Sequence, residues 1–199
     1  MNGLSTLKTG DWHNPPPQWQ LSEDALTIET GFETDFWRET LYGFQRDDGH
    51  ACLVPVSGDF TVYVTFDGAY ETLYDQVGVM LRKDETHWLK AGIEFSDDVL
   101  NMSVVVTRDA SDWSTLALTS TSGPQRLRLT RLENAVVVQF RNAANRWQLL
   151  RVADFSVGKE LLVGPMACSP KRSGLRAAFT EFVIGPAVTQ ALHDESSAS

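Results

Sequence analysis

The chain has no long uninterrupted apolar run, so nothing in its 199 residues reads as a membrane span. It is also short of positive charge. Seventeen basic against 26 acidic residues give a formal net charge of −9, which repels a phosphate backbone over most of the surface and argues against nucleic acid as a partner. Arg126, Arg128 and Arg131 form a local basic run, but on a strand such a run reads as a solvated face. Only two cysteines are present, Cys52 and Cys168, without CxxC spacing, which reads as two buried thiols rather than a zinc or redox site. The opening MNGLSTLKTGDWHNPPPQW has neither a basic start nor an apolar signal core, and a cytoplasmic location is expected.

Catalytic signatures are equally scarce. There is no GxSxG elbow, P-loop, GxGxxG turn or HExxH, and SDWS has no base at readable spacing. Asp47-Asp48 and Asp97-Asp98 offer oxygens of the type calcium takes, yet adjacent acids in turns are usually solvated. No metal or cofactor is predicted.

What the chain does have is alternation. A length of 199 residues with 42% hydrophobic and 22% charged residues suits one globular domain, expected over 1–199, with an N-terminal arm to about residue 22 and a polar tail frayed from about 190. The arm carries Trp12, Pro15–Pro17 and Trp19, which favour an extended segment pinned by aromatic rings over a helix. Strands are predicted over Ala25–Thr30, Asp59–Phe66, Val77–Arg82, Trp88–Phe95, Met102–Thr107, Arg126–Arg131, Ala135–Arg141, Trp147–Val152, Leu161–Cys168 and Leu175–Ile184. Glu133-Asn134 and Asp97-Asp98 read as hairpin turns. No stretch of ten residues shows a helical stripe. The predicted class is all-β, a two-sheet antiparallel sandwich, with a jelly roll favoured over an immunoglobulin-like arrangement.

The three central runs assign faces. Val77, Val79 and Leu81, then Leu89, Ala91, Ile93 and Phe95, then Met102, Val104 and Val106 point toward the core. The opposite face then shows Gln76, Gly78, Met80, Arg82, Trp88, Lys90, Gly92, Glu94, Ser103, Val105 and Thr107, and is expected to be open. The irregular segment TDFWRETLYGFQRDDGH mixes aromatics and charges without a period, as segments bordering sites often do.

In order, NPPPQW, TDFWRETLYGF, DDGH, YDQVGVMLRKDETHWLKAGIEF and VVVTRDASDWS resemble the domain-of-unknown-function family 1349. That family is also labelled as similar to regulation-of-enolase proteins and sits among the concanavalin A-like lectins and glucanases. The resemblance covers Trp12 to Ile184 and implies a curved jelly-roll sandwich whose concave sheet offers a groove, but it implies no established reaction.

Pattern and resemblance converge on one ligand-binding set: Trp37, Tyr42, His50, Gln76, Arg82, Lys90, Glu94, Ser103 and Trp113. Flat aromatics beside amide, carboxylate and cationic groups suit a sugar, because rings stack on pyranose C–H faces while polar groups bond hydroxyls. Each has a plainer reading. Lys90 and Glu94 suit an ion pair across Gly92, Trp88, Trp113 and Trp147 suit packing, and His50 suits a structural role. Glucanases of this fold place acids alternately on one strand. Here Glu94-Phe95-Ser96 puts serine where the next acid would stand, so a non-catalytic carbohydrate or polyhydroxylated-ligand binder is expected. Two alternatives remain: a glycoside-acting enzyme pairing Glu94 with Asp75, Glu39 or Asp35, and a protein-interaction module regulating metabolism.

Overall fold

The computed structural model describes residues 3–118 and 123–193. Among them the chain makes sixteen strands. The first five are short: β1 (Asp11–His13), β2 (Gln18–Leu21), β3 (Leu26–Glu29), β4 (Phe36–Arg38) and β5 (Gln45–Asp47). Six follow without a helix: β6 (His50–Ser57), β7 (Phe60–Gly68), β8 (Gln76–Arg82), β9 (His87–Ser96), β10 (Val99–Arg108) and β11 (Ala110–Ala117). The last are β12 (Gln125–Leu132), β13 (Ala135–Arg141), β14 (Trp147–Asp154), β15 (Glu160–Cys168) and β16 (Arg176–Gly185).

They form two seven-stranded antiparallel sheets, ordered β1-β6-β15-β8-β9-β10-β11 and β14-β13-β12-β7-β16-β3-β2. The alternation explains the layering. Val77, Val79, Leu81, Leu89, Ala91, Ile93, Met102, Val104 and Val106 from the first sheet meet Val62, Val64, Phe66, Leu127, Leu129, Phe179 and Phe182 from the second in one core. Phe95, assigned to that core, is only half-buried where β9 nears its end.

Turn chemistry supports the pairing. Asp97 and Asp98 both adopt left-handed φ, 53° and 59°, as the two-residue turn between β9 and β10 requires, and aspartate tolerates that region better than most side chains. Glu133 does the same between β12 and β13.

Both chain ends are built into the sandwich further than the pattern suggests. A 3-10 helix at Leu4–Thr9 buries Leu4 and Leu7 in the core, a helical turn that the reading of an extended arm did not include. The extended part follows. β1 pairs with β6 and β2 with β3, so the segment passes from one sheet to the other with Trp12 and Trp19 in ring contact at 5.2 Å. At the other end Ala191 is buried and its carbonyl accepts from Gln139 Nε2 at 2.7 Å, while the expected fraying of 194–199 lies outside the described residues.

The largest departure is on the outer face of the first sheet. The β4–β5 ribbon lies across it, and Phe36, Trp37, Ala51, Leu53, Met80, Trp88, Val105, Met166 and Cys168 make a second apolar cluster there. That face is therefore roofed, not open. Every residue of β8 is buried. Alternation assigned the two faces correctly, but it carries no information about what covers the second one.

Candidate functional site

Where the ribbon leaves the sheet partly uncovered, a pocket of about 450 Å³ remains. Its floor is Gln76, Lys90, Glu94 and Val105 from β8, β9 and β10. Trp37, Tyr42 and Phe44 from the ribbon, Leu73 and Tyr74 from the turn before β8, and Trp113 from β11 form its walls. Glu33, Asp35, Arg46, Pro170 and Lys171 complete the lining.

The aromatic walls hold one another. Trp37 contacts Trp113 edge to face at 6.3 Å and Tyr42 at 5.9 Å, and Tyr74 contacts Trp113 at 6.5 Å. Trp113 is also tethered by its indole N–H, shared between Glu94 Oε2 at 3.1 Å and Ser103 Oγ at 3.0 Å. Ser103 donates its hydroxyl to the same Glu94 oxygen at 2.6 Å. Ser103 thus stands behind Glu94 instead of lining the pocket. Burial pushes the Glu94 carboxyl above its ordinary value, outweighing the opposing Lys90 charge and the Ser103 hydrogen bond.

Lys90 and Glu94 do not form the ion pair that their spacing suggests. Lys90 Nζ instead donates to the Phe36 carbonyl at 2.8 Å and stands 3.3 Å from Asp35 Oδ1. Burial is the largest influence and opposes the ammonium, but Asp35, Cys168 and Glu94 together outweigh it and hold the Lys90 pKa above its ordinary value. Asp35 is fixed in turn by its own backbone. Its N–H donates to Asp48 Oδ1 at 2.8 Å, and its carbonyl accepts from the N–H groups of Asp48 and Gly49.

Gln76 has a different standing. The residue is 6% exposed, and its side chain lines the pocket and makes no hydrogen bond among the described residues. Of the nine predicted residues, the pocket gathers Trp37, Tyr42, Gln76, Lys90, Glu94 and Trp113 into its lining, with Ser103 bonded to Glu94. Arg82 and His50 are elsewhere. Arg82 makes a bidentate pair with Asp47, at 2.8 and 2.7 Å, that clamps the ribbon to the sheet. His50 accepts from the Gly31 N–H at 2.9 Å on Nε2 and contacts the Asn14 carbonyl at 2.7 Å through Nδ1, so both ring nitrogens are spent on loops. Trp88 and Trp147 are buried.

Of the second carboxylates left open by the sequence, only Asp35 lines the pocket. Asp75 is fully buried and held by Arg172 and the N–H groups of Glu71 and Thr72, and Glu39 bonds Gln45 on the outside. Asp35, Tyr74 and Lys171 were not among the predicted ligand-binding residues. Asp35 was named only as a candidate second acid, and no periodicity marks any of the three. The acidic turn is also accounted for, Asp47 being taken by Arg82 and Asp48 by Arg46. Among the described residues, no three His, Cys, Asp or Glu side chains group to hold a metal ion. Gly92 does not open the floor to a ligand. A Cβ there would meet the Val77 carbonyl oxygen at 2.1 Å, so its bare Cα serves the close approach of β8.

Two wider depressions, about 570 Å³ beside β2, β3 and β16 and about 760 Å³ near the β13–β14 turn, gather no buried ionisable side chain. Among the described residues no helix is long and apolar enough to cross a membrane.

Residues 12–187 match the family described as Protein of unknown function (DUF1349). A curated relative, "Regulation of enolase protein 1" of Saccharomyces cerevisiae, is 43% identical over 190 residues, covering 96% of each chain. The crystal structure of a functionally unknown protein from Saccharomyces cerevisiae superposes with a TM-score of 0.87 at 42% identity, covering 94% of this chain and 99% of that one. More distant likenesses show the fold alone. A mutant of the GH43 protein BlXynB from Bacillus licheniformis has a TM-score of 0.68 at 17% identity, with 91% of this chain and 38% of that one covered. The alginate lyase from Klebsiella pneumoniae has a TM-score of 0.57 at 10% identity, with 94% and 89% covered. Matched over nearly its whole length in both sequence and fold, the chain belongs to the DUF1349 family, on a concanavalin A-like jelly-roll sandwich.

Proposed function

We propose that the pocket binds a small carbohydrate or another polyhydroxylated ligand. The observation that carries this reading is Gln76, an amide with two donors and two acceptor sites, buried inside the pocket without a partner among the described residues. The amide opens into the pocket, so a hydroxylated ligand can take up donor and acceptor sites that no side chain uses. Glu94 adds an acceptor, since Oε1 receives no donor from the described residues. The Trp37 and Trp113 rings supply apolar faces for sugar C–H groups, and the volume lies in the range typical of small-molecule sites. We place this activity in the cytoplasm, in keeping with Cys52 and Cys168 as buried free thiols.

Trp37 and Trp113 provide the readout. Titrating a panel of mono- and disaccharides while following tryptophan fluorescence is expected to give saturable binding. Gln76→Leu should weaken it about tenfold, through the loss of hydrogen bonds worth roughly 1–1.5 kcal/mol, without lowering the melting temperature. Indifference to the whole panel would reject the reading.

A second reading has its own observation. Leu41, Tyr42 and Phe44 at the ribbon tip are 86%, 52% and 43% exposed, an apolar group that suits a protein partner. The name of the yeast relative points to enolase. Direct capture of purified enolase, lost on Leu41→Asp, would favour this reading if sugars have no effect.

A further inference from the structure

We propose that the pocket hydrolyses small glycosides, with Glu94 as the general acid and Asp35 as the base that activates water. This rests on the carbohydrate reading of the pocket and goes beyond binding. Its basis is a shared asymmetry in two carboxylates that line one cavity. Glu94 is pinned through Oε2 alone, by Ser103 and Trp113. Asp35 is pinned through Oδ1 alone, by its neighbour's N–H on Phe36 at 2.7 Å and by the Lys90 ammonium at 3.3 Å. The other two oxygens, Glu94 Oε1 and Asp35 Oδ2, receive no donor from any described residue. Each carboxylate is therefore oriented by the protein and left with one oxygen for an incoming group.

Their surroundings differ in the sense that acid and base roles require. Glu94 takes its hydrogen bonds from neutral donors and is buried enough that its carboxyl retains a proton more readily than an ordinary glutamate. Asp35 lies against a buried cation. The two residues come from different layers, Glu94 from floor strand β9 and Asp35 from the segment entering the β4 roof, so a sugar in the pocket contacts both layers. A cavity of about 450 Å³ has room for one or two sugar rings.

The reaction balances with water alone. Glu94 gives its proton to the glycosidic oxygen as the bond from the anomeric carbon to that oxygen breaks, and the electron pair leaves on the oxygen to form the alcohol. A water oxygen forms the new bond to the anomeric carbon while Asp35 Oδ2 takes the water proton. Glu94 then regains a proton from solvent and Asp35 releases one, restoring the starting state.

Leaving-group chemistry tests the Glu94 role without depending on how well that variant folds, and the binding titration shows whether the pocket of Asp35→Asn is intact. The full chain is assayed on α and β methyl and 4-nitrophenyl glycosides of glucose, galactose, xylose and arabinose, alongside fluorescence-detected binding. The unmodified protein is expected to release reducing sugar from at least one pair. Glu94→Gln should lose about 100-fold or more on the methyl glycoside but far less on the nitrophenyl one, because nitrophenolate departs without a proton. Asp35→Asn should lose heavily on both. Both residues meet the ligand, so each variant should bind more weakly but still saturably, and the losses are read as kcat at saturating glycoside. Sugar binding with no hydrolysis overturns the proposal and leaves the binding reading standing, whereas neither binding nor hydrolysis removes both. Hydrolysis that is insensitive to both substitutions, or an equal loss on both leaving groups in Glu94→Gln, also overturns the assignment.

Discussion

Lys90 Nζ lies 3.3 Å from Asp35 Oδ1, joining the floor of the pocket to the segment that roofs it across 55 residues of sequence. Both side chains are largely removed from solvent. Lys90→Met keeps the length of the side chain but removes the cation beside the Asp35 carboxylate and the ammonium that donates to the Phe36 carbonyl. Breaking one side of such a pair is expected to cost about 3–5 kcal/mol in urea unfolding, and adding Asp35→Asn should recover part of that loss. A loss no larger than that of a surface lysine would mean that the contact does not hold the roof.

Gly92 tests the geometry of the floor. It faces Gly78 across β8 and β9, and an added Cβ would lie 2.1 Å from the Val77 carbonyl oxygen and 2.7 Å from the Gly78 Cα. Backbone cannot swing aside as a side chain does. Gly92→Ala should therefore destabilise by about 1–3 kcal/mol or more, whereas Gly185→Ala, with nothing within 4 Å of its new Cβ, should change little. Equal denaturation midpoints for the two variants would contradict the strand spacing.

Glu94 should leave a signature in the pH dependence of stability. Burial raises its folded value above the 4.5 of the free side chain. Between the two values the native state holds a proton that the unfolded chain has released, so this group makes stability fall as pH rises through that window. Glu94→Gln removes the titration. The stability difference between the unmodified protein and the variant, measured by denaturant at several points from about pH 4 to about pH 8, should shift in favour of the variant as pH rises. A difference independent of pH would show that Glu94 titrates alike in both states.

Ten of the sixteen strands, the inward set of Val77, Val79, Leu81, Ile93 and Val104, and the grouping of Gln76, Lys90, Glu94 and Ser103 on the opposite face were legible in the sequence, because side chains alternate strictly along a strand, whereas β6, β11 and the short β1, β2, β4 and β5 were not read as strands. So was the two-residue Asp97-Asp98 turn, whose chemistry is local. The roof was not. Period two distinguishes the faces of a strand without saying whether solvent or another layer meets the second, and the ribbon that answers this, carrying Phe36 and Trp37, has only three residues per strand and no period. The same limit governed the individual roles. Arg82 left the predicted site for Asp47, 35 positions away, and Asp35 entered the pocket lining by reaching Lys90, because partners separated so far along the chain are chosen by the packing of layers. Local pattern determined which residues share a face, and tertiary packing alone decided which of them stay free to meet a ligand.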